Sequence, residues 1–117
     1  MARTARRTID RAISEASFQD AVVELAETCG WRVMHVRRSR VRGDRWATAT
    51  SVTGWPDCVI LGHNRALFVE LKSQRGRVSD EQSALLAELR DAGLDARLWR
   101  PSDWPEIEAT LNPRGAR

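Results

Sequence analysis

Residues 57–72, "DCVILGHNRALFVELK", hold two apolar runs, "DCVIL" and "ALFVEL", separated by "GHNR". Short apolar runs around a four-residue break with Gly and Asn read as a β-hairpin. With "GHNR" as the loop, Leu61 pairs with Ala66, Val59 faces Phe68 and Asp57 faces Glu70. Directly opposed side chains share a face, with Cβ atoms about 4.5–5.5 Å apart. Asp57, Glu70 and Lys72 therefore converge at one end of one face. Cys58, Ile60, Leu67, Val69 and Leu71 occupy the other face. Both faces are apolar along most of their length, so the hairpin belongs in the middle of a sheet. A slip of one residue would separate the acids.

The charge needs a reason, because a buried carboxylate or ammonium is costly unless it is paired or bound. Two opposed carboxylates repel unless one is protonated or a cation lies between them. Hard oxygen donors without a nearby His or Cys suit Mg²⁺ or Mn²⁺. A lysine beside such an ion can hold a water or stabilise charge on a phosphate. Spacing alone is equally served by a Glu70–Lys72 salt bridge at a strand end, with Asp57 as a turn residue after Pro56.

Outward from the hairpin, a first helix is expected from about 11–14 to 28. Phe18, Val22, Leu25, Ala26 and Cys29 form one apolar stripe on it, and Gly30 stops it. Glu15 falls close to that stripe, whereas Glu24 and Glu27 fall well away. Its inward position suits either a site acid or a charge at the helix N-terminus. "WRVMHV" (31–36) follows as a strand, with Trp31, Val33 and His35 alternating against Arg32, Met34 and Val36. Residues 37–56 form a long, polar, Arg-rich connection, and long connections are often functional. "SDEQ" (79–82) is a capping box that opens a helix bearing Leu85, Leu86 and Leu89 and ending near Gly93. "DARLW" (95–99) is a last strand. "PSDWPEIEATL" starts a last helix with Ser102 or Asp103 as cap and Pro105 in its first turn. The order α-β-β-β-α-β-α implies an α/β fold, a small mixed sheet flanked by helices.

The chain has 117 residues, which suits one domain. The expected bounds are a basic tail over 1–10, a domain over 11–112 and a C-terminal tail over 113–117. A hydrophobic content of 42% with 30% charged residues excludes general disorder. No apolar run approaches a membrane span, and the Arg-rich start lacks the apolar stretch of a secretory signal. The expectation is an intracellular, cytoplasmic protein with no membrane partner and no small-molecule organic cofactor. Two cysteines without a CxxC pattern, Cys29 and Cys58, read as buried free thiols. His35 and His63 are isolated, which argues against zinc.

Net charge is only +3, but the arginines cluster. Residues 37–45, "RRSRVRGDR", contribute Arg37, Arg38, Arg40, Arg42 and Arg45 against one Asp. Past Lys72 come Ser73, Arg75 and Arg77. Clustered arginines suit bidentate phosphate contact and a nucleic-acid partner, or else a solvated basic face. Trp46, inside the Arg-rich segment, is the best base-stacking candidate. Trp31, Trp55, Trp99 and Trp104 suit packing in the core or at its margin.

The stretch "GWPDCVILGHNRALFVELKSQRGRVSDEQ" carries PD, twelve residues, then ExK. It resembles the PD-(D/E)XK nucleases. More narrowly it resembles the VRR-NUC (virus-type replication-repair nuclease) group, found as small stand-alone phage and bacterial proteins and in the Fanconi-associated nuclease. The first helix "SEASFQDAVVELAETCGW", the "GWPDCVIL" strand, "ELKSQRGRVSDEQ" and "LWRPSDW" resemble family segments in the same order, over roughly residues 14–111. The resemblance implies a restriction-endonuclease-like core. It implies metal binding by Asp57 and Glu70, with the Leu71 carbonyl as a further ligand and Glu15 as the first-helix acid. It implies Lys72 as the catalytic lysine and Gln82 as a residue that orders the site or the DNA. The implied activity is Mg²⁺- or Mn²⁺-dependent, structure-selective DNA cleavage, with small members acting as homodimeric Holliday-junction resolvases on branched DNA. The alternatives are a flap or single-strand nuclease on the same core, or a catalytically silent DNA-binding accessory module for recombination.

Overall fold

The computed structural model describes residues 12–36, 38–40, 46–48 and 52–115. The basic segment 1–10 and Arg37, Arg42 and Arg45 lie outside these residues. The described elements are α1 (Glu15–Thr28), β1 (Arg32–His35), β2 (Arg38–Arg40), β3 (Trp46–Thr48), β4 (Cys58–Gly62), β5 (Arg65–Leu71), α2 (Asp80–Asp91), β6 (Asp95–Trp99), a 3₁₀ turn (Pro101–Asp103) and α3 (Trp104–Leu111).

Strands β1, β4, β5 and β6 form one mixed sheet in that spatial order. β4 is antiparallel to both of its neighbours, β1 and β5, and β6 is parallel to β5 across the α2 crossover. The β4–β5 register follows the sequence expectation, with Val59 opposite Phe68 and Leu61 opposite Ala66. The loop is tighter than four residues: Gly62 pairs with Arg65, leaving only His63 and Asn64 to turn. Both have positive φ, 51° and 60°, the signature of a type I′ turn. The strained His63 is held by a 2.8 Å hydrogen bond to the Cys29 carbonyl and by ring contact with Trp31 at 4.8 Å.

The strand faces alternate as the period of two requires. Cys58, Ile60, Leu67, Val69 and Leu71 are fully buried against Phe18, Val22 and Ala26 of α1 and Ile107 and Leu111 of α3. The opposite face carries Phe68 and Ala96, packed against Leu86 and Leu89 of α2 with Trp55 at the margin. The hairpin is therefore central, between two helical layers. α3 is fastened to β6 by polar contacts as well: Trp99 Nε1 donates to Glu106 (2.7 Å) and Arg97 to Thr110 (3.0 Å).

One correction concerns residues 37–56. They are not wholly irregular: β2 and β3 form a separate two-stranded ribbon, with Arg38 opposite Thr48 and Arg40 opposite Trp46. Three-residue strands without an apolar run carry too little period-2 signal to read. The ribbon leaves and returns at the Asp57 end of the sheet, where Val36 N–H donates to the Asp57 carbonyl at 2.8 Å. Among the described residues no helix is long and apolar enough to cross a membrane.

Candidate active site

Asp57 sits on the turn after Pro56 that leads into β4, and Glu70 is the penultimate residue of β5. Continuing the observed register by one pair puts them opposite each other, on the α2 face. Asp57 Oδ2 accepts a 2.8 Å hydrogen bond from Leu71 N–H, which fixes the carboxylate across the strand pair. Glu70 is only 1% exposed, the one charged residue in the core of the described structure. Lys72 lies just past β5, its Nζ 3.4 Å from Glu70 Oε2. It is also the only lysine in the chain. The salt bridge and the opposed acids are thus both present at this end of the hairpin.

Burial raises the pKa of both carboxyl groups, because the low-dielectric interior penalises their charge. Glu70 is pushed up to about 7, first by burial and then by the Asp57 charge, with Lys72 pulling the other way. Asp57 is also raised, by burial and by the Glu15 charge, against the Leu71 N–H bond and Lys72, which lower it. Glu70 Oε1 is buried and has no hydrogen-bond partner. A buried acceptor without a donor is costly. A divalent cation held by Asp57 and Glu70 would offset both this burial cost and the repulsion of the two charges. The donor set fits Mg²⁺ or Mn²⁺, which commonly take one or two carboxylates and keep several waters.

α2 is bound to this site through its first turn. Ser79 caps the helix by accepting from Gln82 N–H, and Gln82 Oε1 accepts from Ser79 N–H. The other end of the same amide donates to Glu70 Oε2 at 2.7 Å. Gln82 is thus the helix cap and a hydrogen-bond partner of Glu70 at once. The loop that delivers Asp57 packs against the same turn. A Cβ on Gly54 would lie 2.7 Å from the Glu81 backbone carbon and oxygen, and φ is +87°. Only glycine allows that approach. Trp55 then meets Phe68 edge-on at 6.1 Å.

This geometry agrees with the comparison of the sequence with known families. The family model of the VRR-NUC domain matches residues 6–102. The chain belongs to the VRR-NUC family. No curated protein and no solved structure matches it. A VRR-NUC domain is a nuclease of the PD-(D/E)XK type, so the protein is a hydrolase that acts on DNA.

The remaining expected residues of this VRR-NUC domain are placed as follows. Glu15 opens α1, partly exposed, near enough for its charge to raise the Asp57 pKa. It does not complete a three-residue cluster: among the described residues, no three His, Cys, Asp or Glu side chains are grouped to hold one ion. Leu71 buries its side chain in the α1–α3 core while its backbone lies at the site. Arg75 and Arg77 are exposed on the loop between β5 and α2, with Ser73 half-buried at its start. Arg38 and Arg40 lie in β2, whose ribbon is rooted beside Asp57.

Two features were missed. Gly54 had a weak signal, a glycine just before "WPD". Arg100 had none. Its Nη1 donates to the carbonyls of Ser73 (2.7 Å), Gln74 (3.3 Å) and Gly76 (2.8 Å). A side chain that grips backbone carbonyls leaves no pattern among the residues gripped.

Proposed function

We propose that this nuclease is a divalent-metal-dependent, structure-selective DNA endonuclease that resolves four-way (Holliday) junctions as a homodimer. The observation that carries the metal-dependent part is the buried, partnerless Glu70 Oε1 beside Asp57. A divalent ion held by Asp57 and Glu70, with the Leu71 carbonyl as a further donor, would supply Lewis acidity at the scissile phosphate and a lower pKa for the attacking water. Gln82 holds Glu70 in register, and the Leu71 N–H holds Asp57. Lys72 orients the water or offsets charge on the phosphate as the P–O bond to the leaving group breaks. Branched DNA and dimerisation rest on the likeness to small stand-alone members. A two-fold dimer presents two active sites to two opposed strands. We take the domain as residues 11–112, since α3 adds Ile107 and Leu111 to the core. The location that goes with this reading is the cytoplasm of a bacterium or of a phage-infected cell.

The test incubates the protein with labelled four-way junction, flap, single-stranded and duplex DNA, in Mg²⁺, Mn²⁺ or EDTA. Paired symmetric nicks in the junction are expected. EDTA abolishes them, Asp57→Ala abolishes them, and Lys72→Ala slows them by about 100-fold or more. Cutting confined to flaps or single strands would make the protein a flap or single-strand nuclease. Junction binding without cleavage in any metal would make it an accessory module.

A further inference from the structure

Strands β5 and β6 run parallel, with Leu71 and Trp99 as their last register partners, so Lys72 and Arg100 leave the sheet side by side. Lys72 N–H still joins the ladder, donating to the Trp99 carbonyl at 3.0 Å. The chain then turns, and Gly76 N–H donates to the Ser73 carbonyl at 3.1 Å. Three carbonyls of this turn converge on one nitrogen, Arg100 Nη1: those of Ser73 (2.7 Å), Gln74 (3.3 Å) and Gly76 (2.8 Å). Gln74 and Ser102 add a reciprocal tie: Gln74 Nε2 donates to Ser102 Oγ, and Ser102 N–H donates to Gln74 Oε1, both at 3.0 Å. Arg100 is anchored in turn, its backbone N–H donating to Asp103 Oδ2 at 2.8 Å. Among the described residues no carboxylate lies within ion-pair distance of its guanidinium. Its charge is directed at the turn, and hydrogen bonds from a charged donor are the stronger kind.

These ties bear on Lys72. Its side chain shares the face of Glu70, with Nζ 3.4 Å from Oε2 and only 12% of the side chain exposed. A lysine has a long flexible stem and a point charge, so the place of its ammonium depends on the backbone that carries it. The ladder fixes the chain before Lys72, and Arg100 fixes it after, at the Ser73 carbonyl. We propose that Arg100 is a positioning residue of the active site: by gripping the Ser73–Gly76 turn it sets the direction in which the chain leaves β5 and so holds the Lys72 ammonium beside Glu70. The proposal rests on the nuclease reading above and extends its site to the end of β6. A catalytic group misplaced by about 1 Å can cost about 100-fold in rate.

The test is a double-mutant cycle read by single-turnover cleavage in Mg²⁺, with thermal stability measured alongside. Arg100→Met should lower kcat by about 10- to 100-fold and leave KM within about twofold. Lys72→Ala alone should cost about 100-fold, and adding Arg100→Met to it should cost less than about twofold more. Arg100→Lys, which returns an ammonium to the same carbonyls, should recover most of kcat. Gln74→Leu, which frees the turn from Ser102, should give a weaker version of the same pattern if Arg100→Met fails to fold. Lys72 is the only lysine in the chain, so isotope-labelled lysine gives one set of side-chain NMR signals. In metal-free protein, Arg100→Met or Gln74→Leu should move those signals toward the free amino acid. A loss of rate as large in the Lys72→Ala background as in wild type would overturn the proposal, leaving Arg100 a purely structural residue. So would a rise in KM at unchanged kcat, or lysine signals that stay in place. A wild type that cuts no DNA in any metal would instead overturn the nuclease assignment, and the lysine signals would still show whether Arg100 holds Lys72.

Discussion

At Glu70 one carboxylate serves folding badly, and the proposed chemistry is what would use it. It lies 1% exposed, with one oxygen held by Gln82 and Lys72 and the other without a partner. Without metal its pKa stands near 7 instead of the usual 4.5, chiefly through burial. The sign for stability follows from linkage. A carboxyl whose folded pKa is raised binds its proton more tightly in the native state. Its stabilising contribution is complete below the unfolded pKa, and it is lost as pH rises through the folded pKa. In EDTA, thermal stability should therefore fall between about pH 4.5 and pH 7, by up to about 3 kcal/mol, or on the order of 10 °C in Tm. Adding Mg²⁺ or Mn²⁺ at pH 8 should restore most of it. Glu70→Gln should flatten the pH dependence, remove the metal response and end cleavage. Equal pH slopes for wild type and Glu70→Gln in EDTA would show that the burden lies on another group.

The elements position these residues through two devices of unequal visibility. The hairpin was readable because a strand repeats every two residues. Once Leu61 is set opposite Ala66, Asp57 must face Glu70, and the structure keeps that register while shortening the turn to His63–Asn64. The stripe of α1 and the Ser79–Gln82 box were readable for the same reason, a fixed spacing tied to a fixed geometry. The contacts between elements were not. Gly54 against Glu81 and Arg100 against the 73–76 carbonyls join segments 27 and 24 or more residues apart through backbone atoms, which have no residue-type signature. The ribbon β2–β3 escaped because its strands are three residues long. Gly54→Ala tests the first of these contacts. It adds a Cβ 2.7 Å from backbone atoms and demands φ near +87° of an alanine. It should cost at least about 2 kcal/mol by denaturant unfolding. It should also push the first turn of α2 away, taking Gln82 from Glu70, so that specific activity of the folded fraction falls too. A variant destabilised to that extent but fully active would mean that Gln82 follows Glu70 independently of the loop.

Charge is sorted over the whole molecule in a way that a net +3 conceals. A groove between α1 and β1 is lined by Asp20, Val23, Glu24, Glu27, Thr28 and His35, and its three carboxylates repel a phosphate backbone. The arginines lie elsewhere: Arg75 and Arg77 beyond Lys72, and Arg38 and Arg40 in the ribbon rooted at Asp57. On the proposed function, DNA would approach the end of the sheet where the acids are buried, away from this acidic groove. One chain has one such site, and a four-way junction needs two opposed strands cut. The proposed dimer follows from that stoichiometry and can be tested apart from catalysis in general. Wild-type and Asp57→Ala chains, mixed in equal amounts and allowed to exchange, should form half their dimers with a single live site. A supercoiled cruciform plasmid resolved by such a mixture should accumulate singly nicked circles, where wild type alone gives linear product at once. Linear product that falls only in proportion to the active chains, with no rise in nicked circles, would mean that each chain cuts independently and that two-fold pairing plays no part in the reaction.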